Sequence, residues 1–147
     1  MSLPPGGVRE ACLSELREAA MDLLPDSLAE VVVKTEEPFI QQIVDVEVPR
    51  MVFGRLCLIG DAAFTARPHA AAGTAKASAD AWALAEQLQG GGGGDLNGAL
   101  LRWQVAQLAL GRGLLQRVRD MGERSQFRCT WRPEDPELRF GLWGPGR

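Results

Sequence analysis

Cysteine is scarce: Cys12, Cys57 and Cys129 are odd in number, far apart and form no Cys-x-x-Cys pair. That excludes a disulfide framework and a cysteine zinc site, and it fits a reducing cytoplasm. No metal ligand set is expected, and His69 is the single histidine. Long apolar runs are missing too. None approaches ~18 residues, and the first stretch mixes Pro, Gly, Arg and Glu rather than forming a signal peptide, so neither a membrane span nor export is expected. Charge of one sign is not in excess: 16 Lys+Arg face 19 Asp+Glu, a net charge of −3, which argues against nucleic acid or an anionic membrane as partner. The sum hides an asymmetry, because Leu101 onward holds nine Arg against five acids. A solvated basic face is the plainer consequence of that, and charge pairing across an assembly is the other. Finally, no Gly-x-Gly-x-x-Gly follows a strand, so the turn that binds a dinucleotide's phosphates is missing.

What is present begins with a breaker cluster, Leu3-Pro-Pro-Gly-Gly7, after which a helix is expected from Val8 to Leu24, stopped by Pro25. Cys12, Leu16, Ala19, Ala20 and Leu23 form its apolar stripe. Pro25–Lys34 reads as a short helix, although Val31-Val32-Val33 would equally suit a strand. Phe39–Val48 alternates as a strand, Pro49 and Gly54 mark a turn, and Leu56–Ile59 reads as a strand buried on both faces. A helix follows from about Thr74 to Leu88, then a flexible Gly90–Gly94 tether. Asp95 or Asn97 caps a long helix to about Met121 with Leu101, Val105, Leu108, Leu115 and Val118 on one stripe and a possible kink at Gly111 and Gly113. The rest is an irregular tail of aromatics, arginine and proline. Two or three strands and several helices do not close a doubly wound sheet, so most of an α/β fold is absent and the portion present is α+β.

The chemistry concentrates at the corner between Leu56–Ile59 and the next helix. Side chains leave the carboxyl end of a strand there, and free N–H groups of the following helix face the same crevice. Asp61 is placed to reach a ligand, and Gly73 and Thr74 open a helix whose dipole stabilises negative charge. His69 suits either acid–base work or the lining of a cavity. Arg67 reads as a solvated side chain more readily than a phosphate clamp, and Trp82 as core rather than a stacking platform.

In order, Gly60, Asp61, Ala62, Ala63, Pro68, Gly73, Asp80 and Ala81 fill the pattern of the second flavin-contacting motif of the FAD-dependent aromatic hydroxylases, the single-component flavoprotein monooxygenases. The chain resembles that family, and the wording of Arg67–Trp82 is nearest the 2,6-dihydroxypyridine 3-monooxygenase-like group. Phe64, Ala71 and Ala75 depart from the histidine, glycine and asparagine of many members. The resemblance implies the C-terminal part of a Rossmann-like monooxygenase fold. Residues 1–50 would be a remnant of the substrate-binding domain, 51–89 the FAD-contacting strand-loop-helix, 90–94 a linker and 95–147 a C-terminal helix and tail. It implies FAD as cofactor, NAD(P)H as reductant, O2 and an aromatic or N-heteroaromatic substrate. By the same resemblance Asp61 accepts hydrogen bonds from ribityl hydroxyls, Gly60 lets the backbone pass close to the ligand, Ala62 and Ala63 leave room for the cofactor, Pro68 lies near the flavin ring, and Gly73 and Thr74 face its reduced pyrimidine edge. The N-terminal FAD-binding region would be a missing partner, so these residues alone are expected neither to bind FAD tightly nor to hydroxylate. The alternative is a non-catalytic interaction module that associates with itself or a partner chain.

Overall fold

The computed structural model describes residues 2–90, 95–132, 134–136 and 139–142. They divide into two units, Met1–Ile43 and Val44–Arg147. In the first, α1 (Glu10–Leu23) ends where Leu24 turns extended before Pro25, and α2 (Asp26–Lys34) starts immediately after that proline. Asp26 in the first turn and Lys34 in the last both favour the α2 dipole, and the three valines follow the helix. The two helices pack on each other, burying Ala20 and Ala29. Leu16 stays 45% and Leu23 79% exposed, so the apolar stripe of α1 is largely uncovered. The expected strand over Phe39–Val48 is not continuous. Ile40 forms one antiparallel bridge with Leu3, and the Gln42 N–H goes to the Ser2 hydroxyl instead of a ladder partner.

Among the described residues the second unit supplies four two-residue strands, all antiparallel. β1 (Val46–Glu47) pairs with β4 (Phe64–Thr65), with Val46 opposite Thr65. β2 (Val52–Phe53) and β3 (Leu56–Cys57) form a hairpin, with Val52 opposite Cys57. Gly54 turns it at φ +65°, a conformation that costs glycine little and matches a two-residue hairpin turn. The strand expected over Leu56–Ile59 is therefore shorter and is not buried on both faces: Leu56 is 57% exposed, and its partner is a local hairpin arm rather than a parallel neighbour.

Helix α3 (Gly73–Gly90) packs along α4 (Leu96–Gly122), which supplies the cover that a sheet was expected to give. Asp95 caps α4, its carboxylate accepting from the Gly98 N–H at 2.8 Å. Hydrogen-bonded helix runs unbroken through Gly111 and Gly113. The buried stripe of α4 runs through Leu100, Trp103, Gln107, Gly111, Leu114, Leu115, Val118 and Met121, whereas Leu101 and Val105, expected on it, are exposed. Gly111 is buried because the Phe64 ring fills the space beside it, where a Cβ would lie 2.5 Å from the ring. Met51, Ala63, Phe64, Ala70, Trp103 and the later α4 residues form one core. After α4 the chain winds one wider turn, Glu123–Phe127, and continues irregularly as expected of the tail. Apart from Gly90, the Gly90–Gly94 tether lies outside the described residues, as does Trp143. No helix among the described residues is long and apolar enough to cross a membrane.

Candidate functional site

After β3 the chain bends at Gly60, which adopts φ +55° and whose Cβ position lies 2.9 Å from the Ala77 Cβ of α3. A side chain there would be strained and would also collide, so glycine is required twice over. The following one-turn helix, Gly60–Ala62, lies against α3. Its anchor is a buried carboxylate: Asp80 Oδ2 accepts from the Gly60 N–H at 2.9 Å, and Asp80 Oδ1 from Lys76 Nζ at 2.6 Å. Lys76 is 1% exposed and Asp80 is fully buried. The ammonium also faces the Phe64 ring at 5.1 Å, and the Trp103 indole N–H donates to the Asp80 carbonyl at 3.0 Å. Two charges removed from water are tolerable only when paired and hydrogen-bonded in this way. Phe64 stands where many flavin hydroxylases have histidine, and here its ring joins α4 to this cluster.

From that anchored turn Asp61 points outward. Asp61 and Ala62 are exposed, and the Asp61 carboxylate has no hydrogen-bond or ion-pair partner among the described residues, while its carbonyl accepts from the Thr65 hydroxyl at 2.9 Å. Gly73 and Thr74 are exposed at the start of α3, with open space where a Gly73 Cβ would be. Pro68 is exposed at the start of a second one-turn helix, Pro68–Ala70. Ala71 closes it at φ 50°, ψ 38°, a left-handed conformation that glycine adopts at lower cost than alanine.

His69 takes a different direction. The imidazole packs on α4 at Gly122, where a Cβ would lie 2.5 Å from Nε2, and it lines a recess of about 160 Å³ with Met121, Ser125, Trp131 and Phe140. Arg67 is half-buried and paired rather than a free, solvated side chain. It grips Asp45 through Nε at 3.1 Å and a terminal nitrogen at 2.9 Å, and Arg119 Nε donates to the same carboxylate at 2.9 Å. Burial by itself raises the pKa of Asp45, but hydrogen bonds and charge from Arg67 and Arg119 outweigh it and hold the carboxyl below its ordinary value. This cluster ties β1, the loop before Pro68 and α4 together. Trp82 is not core: it is 72% exposed and donates to Glu86, because it sits about 200° around α3 from the buried Asp80.

Several arginines of the C-terminal half pair within the chain, Arg112 with Glu47, Arg124 with Asp135 and Arg128 with Glu123. The basic excess is thus partly spent on local ion pairs. Sequence reasoning missed the Lys76–Asp80 pair and the Asp45 cluster. For the first, the signal was opposite charges four residues apart in an alanine-rich helix, which ordinarily marks a solvated pair.

No protein-family model matches the chain. Over 113 residues it is 44% identical to the 2,6-dihydroxypyridine 3-monooxygenase of Paenarthrobacter nicotinovorans, a match covering 77% of this chain and 28% of that protein. The structure of 2,6-dihydroxypyridine-3-hydroxylase from Arthrobacter nicotinovorans superposes on 97% of this chain and 35% of that one, with a TM-score of 0.83 and 38% identity. A probable FAD-dependent monooxygenase from Pseudomonas aeruginosa shares the fold at a TM-score of 0.59 and 21% identity, over 80% of this chain and 35% of its own. The chain thus spans roughly a third of the length of these proteins.

Proposed function

We propose that the chain belongs with the FAD-dependent aromatic hydroxylases, the C-terminal part of whose fold it resembles, and that it supplies the flavin-contacting corner of such an enzyme. The complete protein would hydroxylate an aromatic or N-heteroaromatic ring with O2, using NAD(P)H as reductant. The observation that carries this reading is the exposed Asp61 carboxylate, without a partner among the described residues, on a turn held against α3 by Asp80.

The residues fit FAD in its ribityl and pyrimidine parts. Asp61 offers an acceptor with free lone pairs, the small, exposed Ala62 leaves the approach clear, and Gly73 and Thr74 present the N-terminal end of α3 to partial negative charge. Pro68, exposed next to that helix start, would border the ring. When bound, the cofactor supplies electron transfer and oxygen chemistry. The chain's own residues orient it, and the anchoring of Gly60 by Asp80 keeps Asp61 fixed while they do so. The diphosphate and adenosine need a glycine-rich βα turn, which a separate FAD-binding region would bring as partner. Three free cysteines, one of them exposed, support a cytoplasmic location.

The test is a chimera in which this chain replaces the matched segment of the Paenarthrobacter enzyme. A yellow, FAD-loaded chimera that hydroxylates a dihydroxypyridine is expected; a folded, flavin-free chimera would refute the reading. The chain alone should not quench FAD fluorescence stoichiometrically at micromolar concentration, and a monodisperse monomer that did so would show a self-sufficient flavin module. A second reading, a non-catalytic interaction module, is favoured by apolar side chains left uncovered on the second unit, Trp82 and Val105 at 72% and 68% exposed. Self-association that persists in a flavin-free chimera would select it.

A further inference from the structure

We propose that the groove along the second half of α4 binds an organic monocarboxylate, with the Arg117 guanidinium as its counter-ion. The groove measures about 550 Å³, the size of a small-molecule site, and is lined by Gln116, Arg117, Asp120, Glu123, Arg124 and Arg128. Gly113 leaves its floor open, since a Cβ there would meet nothing within 4 Å. Two of the three arginines are matched already, Arg124 to Asp135 and Arg128 to Glu123. Arg117 is half-buried and has no carboxylate partner among the described residues. One terminal nitrogen donates to the Gly141 carbonyl, and Nε, closed off from solvent, has no acceptor. The other terminal nitrogen is unpaired and not shut off from solvent, so it is the atom that can meet a ligand. Burial pushes the Arg117 pKa below its ordinary value, and no nearby carboxylate offsets it.

A partly desolvated cation without a counter-ion is unfavourable, and a carboxylate on its free terminal nitrogen would relieve it through a charge-assisted hydrogen bond. The acids of the lining select the class of anion. Three arginines against Asp120 and Glu123 leave one positive charge, which matches a single carboxylate, whereas a phosphate dianion or a nucleotide would lie against both acids. The aliphatic stems of the arginines and of Gln116 offer apolar surface to the body of an organic acid. Arg117 is also held in place: its donation to Gly141 is continued by the Gly141 N–H, which donates to the Ala70 carbonyl at 2.7 Å. The groove contains no residue of the Gly60–Thr74 corner, so this assignment stands apart from the flavin reading. All its lining residues belong to the unit Val44–Arg147, which has its own core.

The experiment titrates the ¹⁵N-labelled 147-residue chain with hexanoate, hexanol and inorganic phosphate at constant ionic strength, following the arginine Nε–H resonances. Hexanoate is expected to bind with a Kd on the order of 1 mM, shifting the Arg117 resonance along a saturation curve. Hexanol, which keeps the apolar body and lacks the charge, should bind at least about tenfold more weakly, as expected for one hydrogen bond to a charged group, and phosphate should also be weaker. Arg117→Gln should weaken hexanoate about tenfold or more. Gly113→Leu places a better helix former in open space, so it should fold as the parent does, fill the groove and abolish hexanoate binding. Non-saturating shifts would overturn the proposal, and so would hexanol binding as well as hexanoate, phosphate binding more tightly, or hexanoate binding that either variant leaves intact. A chain that does not fold would overturn it too, because the groove is assigned to a unit with its own core. FAD retention by the chimera reads the Asp61 corner independently, so a failed hexanoate titration beside a flavin-loaded chimera rejects the groove and keeps the hydroxylase.

Discussion

Asp80→Ala is the most informative substitution, because one buried carboxylate serves two donors. Removing it leaves the Lys76 ammonium, 1% exposed, with only the Phe64 ring face at 5.1 Å, and leaves the Gly60 N–H without its acceptor. Breaking a buried ion pair from one side costs about 3–5 kcal/mol, and an unsatisfied buried donor about 1–3 kcal/mol. The two overlap, since relaxation that admits water to one group reaches the other, so a loss of about 3–5 kcal/mol is expected in all. That is a large share of the ~5–15 kcal/mol typical of a domain. The double variant Lys76→Met/Asp80→Asn removes both charges and keeps an oxygen facing Gly60. It should lie within about 1–2 kcal/mol of the parent, the residue being the new amide N–H₂ without a partner. Urea unfolding followed by tryptophan fluorescence, at unchanged m, measures both. If Asp80→Ala lies within about 1 kcal/mol of the parent, the pair is not buried in solution and the anchoring of the Gly60 turn fails with it.

Other consequences are as specific. Gly111→Ala puts a Cβ 2.5 Å from the Phe64 ring and should cost about 1–3 kcal/mol, whereas Gly113→Ala, with open space around it, should gain about 1 kcal/mol; equal melting shifts would contradict the packing. Ala71→Gly relieves a left-handed alanine and should raise stability by less than about 1 kcal/mol; a loss in thermal unfolding would show that the turn is not left-handed. The carboxyl of Asp45 is held below its unfolded value, so its stabilisation is full above that value and is lost as pH falls through the folded one. Asp45→Asn should therefore be less stable than the parent near neutral pH and converge with it in acid; a constant gap across the titration would rule this out. In the chimera, Asp61→Ala should weaken FAD retention about 10- to 150-fold, corresponding to about 1.5–3 kcal/mol for a hydrogen bond to a charged group, without lowering the melting temperature. Equal flavin occupancy after gel filtration would remove Asp61 from the site.

Local signals survived into the structure where a short-range rule decides the outcome. Pro25 stops α1, Asp95 caps α4, and the strand, Gly-Asp turn and alanine-rich helix fall in the expected order. What failed depends on partners distant in sequence. Leu56–Ile59 has the composition of a strand buried on both faces, but its pairing is with Val52–Phe53 across a glycine turn, leaving Leu56 exposed. Trp82 has the composition of a core residue, yet which face of α3 is covered is set by α4, and the core tryptophan is Trp103. The candidate site divides in the same way. That the Gly60–Thr74 segment carries the corner was legible from spacing. That Asp80 anchors it required knowing that α4, Phe64 and the Gly60 turn enclose one point of α3, so that an i,i+4 pair resembling a solvated one becomes a dry one. His69 shows the converse. Its chemistry suited acid–base work or the lining of a cavity, and the close approach of α4 at Gly122 decides which recess the ring lines, while a glycine in the last turn of a helix gives no such warning in sequence because helices commonly end at glycine for backbone reasons alone. Residue type therefore decides what chemistry a position can offer, and the covering elements decide to which side it is offered.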